Sequence, residues 1–407
     1  MFKKATLATA MTLTLSACAE MPHSAAPAKA VWPDVVVQLH GSGRAYIVDT
    51  KTDAVIADLE TCKGGTLGST TPDGRKVYVS CAGEGEKDVV VIDLGGKKVA
   101  KRITTGNRPK HALVSPDGKW VAVNHWGLDG GNLRVTFIGA ATDTIVKEVV
   151  ITVHDPVATK VTSMHNAWSL DSRRLFTVDR VDEDLVTVDT RNWSVKEKRN
   201  SSAPHYPVPS PDGTELWHVI EGGKPAVVVY DLTQADLPVK GTVDLPLQGQ
   251  KAVEAHHGNF TQDGKYFMVL NRGPGSNLAG TEVAVYDAKT RQLVVRLETK
   301  STGIGHAYNT PDGKLAIITN YGNNMISAVD TGSWKIVKEL EIGGGRMGHI
   351  AFTQDGRYGY VSNDKDGALY KLDMQKLEVV KKIETAGKPG GGQVLNVWTN
   401  VFEELPR

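Results

Sequence analysis

The sequence predicts an all-β protein, a single eight-bladed β-propeller, and three observations predict it. A turn of the form (Ser/Thr)-x-Asp-(Gly/Ser) recurs at Asp73, Asp117, Asp171, Asp212, Asp263, Asp312 and Asp355, at intervals of 41 to 54 residues. That interval is the length of a four-stranded blade. Glycine makes up 42 of 407 residues, enough for a turn-rich chain. The two ends complement each other, because three strand-like segments precede the first repeat and a single one follows the last. Seven blades is the alternative count.

In chain order, residues 1–17 read as a leader. Met1-Phe2-Lys3-Lys4 is a basic start, and the apolar run from Ala5 to Leu15 is too short to span a bilayer. Leu15-Ser16-Ala17-Cys18 resembles the bacterial lipobox, which is cut before the cysteine and carries lipid on its thiol. The residue after Cys18 is Ala19, whereas the family's inner-membrane retention signal is Asp, so the resemblance implies attachment to the outer membrane on its periplasmic side. Residues 18–33 are rich in Ala and Pro and form a tether, and residues 34–407 form the propeller. Cys62 and Cys81 are the only other cysteines. In an oxidising compartment a disulfide is the plain expectation, with a thiolate ligand as the alternative. Lys+Arg is 47 and Asp+Glu is 46, a net charge of +1. No electrostatic case exists for a nucleic-acid partner.

The blades follow. Val35–His40, Arg44–Asp49 and Ala54–Glu60 read as strands two to four of a blade that lacks its first strand. In the blade around Asp117, His111–Ser115 precedes the turn, Trp120–Asn124 alternates as a half-buried strand does, and Leu133–Ile138 and Thr144–Thr152 complete the unit. Phrases such as Val91-Ile92-Asp93 and Val329-Asp330-Thr331 close the hairpin between strands three and four. Gln393–Trp398 supplies the missing first strand of the opening blade. This closes the ring and removes its edges.

Six residues before the turn aspartates stand Leu67, His111, His165, Tyr206, His257, His306 and His349. Five of these seven are His in a chain with only 12, and His205 and His256 come one residue earlier than their blade's member of this set. The start of each first strand lines one mouth of the axis, so these imidazoles are expected to converge. Eight residues after the aspartates stand Cys81, His125, Asp179, Ile220, Asn271, Asn320 and Asn363, with His40 at the matching place in the first blade. The Asn residues of this second ring read as strand caps. Neutral His ligates zinc, copper, iron and nickel, and five imidazoles exceed one tetrahedral zinc. The candidate metal ligands are His111, His165, His257, His306 and His349, with His205, His256, His125 and His40 as further ligands or orienting groups. Copper is the favoured cofactor.

The phrases Ser115-Pro116-Asp117-Gly118 and Tyr78-Val79-Ser80, together with the ending from Gly391 through Asn400, resemble the cytochrome d1-type propellers within the wider YVTN-like group. The resemblance implies eight blades and a d1-type haem over the channel mouth, with His306 and His349 in the region of the family's distal groups. Where the family's nitrite reductases carry an iron-ligating His on an early first strand, this chain reads Gly65-Thr66-Leu67-Gly68. A looser resemblance is to the copper-cluster propellers of nitrous oxide reductase and thiocyanate dehydrogenase, which gather His from many blades on the axis. Three functions are therefore in view. The first is a periplasmic, lipid-anchored propeller binding redox copper, an oxidoreductase if an enzyme at all. The second is a d1-haem or other tetrapyrrole binder in haem maturation or delivery. The third is a non-enzymatic envelope scaffold or metallochaperone. An electron-transfer or maturation partner in the periplasm belongs to the first two.

Overall fold

The computed structural model describes residues 33–154, 161–200, 203–222, 224–245, 254–273, 278–397, 399–400 and 403–404. The leader, Cys18 and the tether up to residue 32 lie outside them. Eight four-stranded antiparallel sheets make the blades, and no helix occurs among the described residues. Among those residues, no helix is long and apolar enough to cross a membrane.

Seven blades are continuous in sequence. Their inner strands are Leu67–Thr70, Pro109–Val114, Ala167–Trp168, Pro204–Pro209, Ala255–Phe260, Ile304–Asn309 and Ile350–Phe352. These belong to blades 2 to 8. Blade 1 is composite: Val35–His40, Arg44–Asp49 and Val55–Glu60 pair in order, and Gly391–Leu395 is its inner strand. The closing strand thus begins two residues before the sequence expectation and ends three before it.

The repeated turn works through one hydroxyl and one carboxylate. In blade 2, Thr71 Oγ1 donates to Asp73 Oδ1 at 2.6 Å and accepts from the Lys76 amide at 3.0 Å, while the Arg75 amide donates to Asp73 Oδ1 at 3.1 Å. Gly74 takes a positive φ of 67°, the left-handed conformation this turn demands. The same Ser/Thr–Asp pairing holds at Asp117, Asp171, Asp212, Asp263, Asp312 and Asp355. The motif therefore recurs because each copy turns the inner strand into the second one.

Inner and middle strands are buried on both faces, as in Pro109–Val114, while outer strands such as Thr144–Ile151 turn most of their residues outward. Large side chains fill the space between blades. Phe137 packs edge-on to Trp168 at 6.1 Å between ring centroids, and Trp217 packs on Phe260 and Phe267 at 5.4 and 4.7 Å. The closure is tied by backbone and side chains together. Val37 pairs with Leu395 and His40 with Gly391, Gln393 Oε1 accepts from the Gly68 amide at 2.7 Å, and Ser362 Oγ donates to Gly392 O at 2.6 Å.

Candidate functional site

Seven imidazoles meet at the axis. His111 contacts His165 with ring centroids 5.3 Å apart, and His165 contacts His205 and His257 at 5.4 and 4.9 Å. His205 lies 4.5 Å from His256 and 4.8 Å from His257, which are themselves 4.3 Å apart. His257 then meets His306 at 4.6 Å, and His306 meets His349 at 4.7 Å. All seven are buried. Six blades, 3 to 8, thus deliver them: blades 3, 4, 6, 7 and 8 bring the five His residues that the sequence placed at one offset, and blades 5 and 6 bring His205 and His256, which come one residue earlier.

A recurrent β-bulge explains why adjacent residues share the hub. Between the inner and second strands the register slips at the same place in four blades. Pro109 faces His125 while His111 faces Asn124, which leaves Lys110 as the extra residue. His205 is the extra residue in blade 5, His256 in blade 6 and Gly305 in blade 7. A bulge opposes two residues to one and re-aims a side chain that strict alternation would send to the other face. In blade 7 a Cβ on Gly305 would come 2.5 Å from Tyr321 Cε2. The glycine leaves space for the ring whose hydroxyl reaches His306 Nε2 at 3.1 Å.

The second nitrogens of several rings are already committed. His306 Nδ1 donates to Gly348 O at 3.0 Å, which leaves its Nε2 as the lone-pair nitrogen. The Asn166 amide donates to His111 Nδ1 at 3.1 Å, so the proton of a neutral His111 sits on Nε2. Tyr308 and His349 share a hydrogen bond of 2.7 Å. His205 differs: it is fully buried, and neither of its nitrogens has a hydrogen-bond partner among the described residues. One ligand atom from each of His165, His205 and His257 lies within 4.8 Å of the other two. The centre of a triangle with edges of 4.8 Å is about 2.8 Å from each corner, and a metal–imidazole bond is about 2.0 Å. Inward shifts of under about 1 Å would close three ligands on one ion.

Glu221 borders this set and, with His205 and His256, forms a second group of adjacent donor atoms. Its carboxylate accepts from Arg180 Nη1 at 3.0 Å and from Arg272 Nη2, and it meets His256 Nδ1 at 3.2 Å. Burial alone would push Glu221 up, but its neighbours outweigh it, His205 first and then the hydrogen bond from His256 and the charge of Arg272, and hold the group well below the usual carboxylate range. An ionised Glu221 fixes the His256 proton on Nδ1 and presents Nε2 as the donor atom, the arrangement that orients metal-ligating imidazoles.

Burial also sets the charge of the cluster. It lowers His111 and His349 to about 3 and His256 to about 4, and holds His165, His205, His257 and His306 well below their ordinary value. Seven neutral rings result at neutral pH, in the protonation state that binds metals. Lys110, pushed down to about 7 by burial, stands beside them.

The remaining candidates sit elsewhere. His40 is buried, takes the Ser42 amide on Nδ1 at 3.2 Å and faces Lys388 O with Nε2 at 3.2 Å. His125 bonds Arg134 O at 3.0 Å and Thr105 Oγ1 at 3.2 Å. Neither has a ring contact with the seven among the described residues. Asn271, Asn320 and Asn363 cap the turns that follow their strands, as in the 3.1 Å bond from the Gly322 amide to Asn320 Oδ1. Cys62 and Cys81 form a disulfide with Cα atoms 5.6 Å apart. Sequence reasoning missed Lys110, Glu221, Arg180, Arg272 and Tyr321. The last four occupy the position nine residues after the turn aspartate, one beyond the ring that was read.

The cytochrome D1 heme domain family model matches residues 143–315. That stretch carries His165, His205, His256, His257 and His306. No curated protein matches the chain in sequence. Among solved structures, the chain is similar to dihydro-heme d1 dehydrogenase NirN in complex with DHE, with 21% identity, a TM-score of 0.72, and 92% of this chain and 78% of that one covered. It is also similar to apo AztD from Citrobacter koseri, with 13% identity, a TM-score of 0.64, and 92% and 100% of the two chains covered. The likeness to these solved structures establishes the fold, an eight-bladed propeller, and the family model covers residues 143–315 of it.

Proposed function

We propose that this propeller binds a transition-metal centre at its hub through imidazoles, and that the centre is its functional group. The observation that carries the proposal is His205, a fully buried ring with two unpartnered nitrogens among the described residues, set against His165 and His257 at ligand spacing. A buried polar atom without a partner is costly, and a metal ion is the ligand that an uncharged cluster of imidazoles satisfies best.

The family match makes an iron tetrapyrrole of the d1 type the first candidate for that centre. Its chemistry would be that of an axially ligated iron macrocycle. Rings 4.3 to 5.4 Å apart leave no width for a macrocycle between them, so the fit lies at the mouth. There an imidazole would hold the iron, and the cations of Arg180, Arg272 and Lys110 would attract the macrocycle's carboxylates. The ligand spacing of His165, His205 and His257 favours a second reading, an ion held directly by the protein. Copper suits such a donor set, as do zinc and nickel; the comparisons lend copper no support of their own. The lipid anchor on Cys18, the outer-membrane location and a periplasmic partner belong to this proposal and rest on the leader sequence.

The test is metal analysis of the protein purified from its native compartment, followed by titration of the metal-free chain with iron tetrapyrrole and, separately, with copper and zinc salts. A Soret band that shifts on binding supports the first reading. About one equivalent of bound ion without tetrapyrrole, lost in His205→Ala, supports the second. A chain that takes up neither overturns the proposal. Fatty-acid labelling that is lost in Cys18→Ser checks the anchor.

A further inference from the structure

We propose that Tyr321 decides which imidazoles of the hub can coordinate: its hydroxyl occupies the lone pair of His306 and keeps that ring out of the ligand set. The inference deepens the reading of an ion held directly by the protein and rests on it.

His257 and His306 come from the same offset in adjacent blades, and their rings lie 4.6 Å apart. By position alone, His306 is as good a ligand as His257. Its two nitrogens say otherwise. A carbonyl oxygen only accepts, so the 3.0 Å bond between Nδ1 and Gly348 O places the ring's proton on Nδ1. The lone pair of the neutral ring is then on Nε2, and the Tyr321 hydroxyl sits 3.1 Å from that atom. A phenol keeps its proton up to about pH 10, so Tyr321 donates and Nε2 accepts. The nitrogen that a metal needs is taken.

The backbone is shaped for this contact. Gly305 is the extra residue of the blade 7 bulge, at the position that holds His205 in blade 5 and His256 in blade 6. Where those blades send an imidazole, blade 7 has no side chain, and the Tyr321 ring lies there instead, 5.4 Å from His306 and 5.8 Å from His256 between centroids. A Cβ on Gly305 would meet that ring at 2.5 Å. Glu221 makes the opposite choice from the matching place in blade 5, since both residues stand nine positions after their turn aspartates. Its carboxylate meets Nδ1 of His256 at 3.2 Å and leaves Nε2 as the donor atom. One offset thus admits His256 to the ligand set and excludes His306 from it.

Titration of the metal-free, full-length chain with cobalt(II) tests this, read by affinity and by the visible bands, which report coordination number and geometry. His257→Ala should cost about 100-fold or more in affinity, beyond the loss typical of a group outside the coordination shell. His306→Ala should leave affinity and bands unchanged. Tyr321→Phe should alter the bands by adding an imidazole, and the double variant Tyr321→Phe/His306→Ala should restore them. Urea midpoints confirm that every variant is folded. A wild type that binds cobalt but loses it in His306→Ala, or bands that Tyr321→Phe leaves unchanged, overturns the proposal and spares the ion reading. A wild type that binds no cobalt, beside a Tyr321→Phe variant that binds it through His306, overturns the ion reading and leaves Tyr321 in its assigned role. Uptake by neither chain overturns both.

Discussion

Replacing His205 by leucine should make the metal-free protein more stable and abolish the stabilisation that metal confers. The ring is fully buried among His165, His256 and His257, and both of its nitrogens lack partners among the described residues. Leaving a buried polar group unsatisfied costs about 1–3 kcal/mol. Leucine is similar in volume and keeps the apolar contacts, so the metal-free variant should gain about 1–2 kcal/mol. Metal reverses the order. A ligand at 100 times its dissociation constant stabilises the folded state by about 2.7 kcal/mol, and the wild type receives that increment while His205→Leu does not. Urea denaturation with chelator, and again with excess zinc or copper, yields the four free energies. If the metal-free variant is less stable by more than about 1 kcal/mol, or if it keeps the metal increment, the ring is a packed core histidine and the reasoning fails.

Acid should destabilise the metal-free chain early. The folded state holds His111 and His349 at about 3 and His256 at about 4, against an ordinary 6.5. Above pH 6.5 both states are neutral and the stability is fully present; as the pH falls toward 4, the unfolded chain takes protons that the folded one refuses. Three such groups remove about 4 kcal/mol by pH 5.5, and urea midpoints that stay flat from pH 7 to 5.5 would contradict it. Glu221→Gln should weaken metal binding about 10- to 100-fold by releasing the His256 tautomer, with little change in fold by circular dichroism; unchanged affinity in a competition titration would count against the orienting role. Reducing Cys62–Cys81, 19 residues apart in sequence, should cost about 3 kcal/mol through the loop it closes. Paired melts with and without reductant that coincide would refute it.

The architecture was legible because its cause is local. Each Ser/Thr–Asp turn satisfies its own amides, so its signature must reappear wherever an inner strand turns into a second one. The closing strand was legible because blade 1 shows three strands and a sheet edge demands a fourth. The convergence of His111, His165, His257, His306 and His349 followed from the same spacing. The bulges were not legible: counting by twos sends Lys110 and His111 to opposite faces, and only the paired His205-Tyr206 and His256-His257 hinted otherwise. Strand-end positions also proved ambiguous. His40 and His125 share an offset with capping Asn residues, and the structure uses their rings to bond backbone and hydroxyl groups beside the seam and blade 3.

The clasp between Val35–His40 and Gly391–Leu395 has a consequence for when the protein can work. Until residue 395 has been made and delivered, the first blade is a three-stranded strip and the wheel stays open. Imidazoles gathered from six sectors share one spot within a wheel that this last segment closes. On the proposed reading, loading of the hub would be reserved for chains whose wheel has closed, and a chain clipped before residue 391 would keep every histidine yet lack the strand that closes their ring.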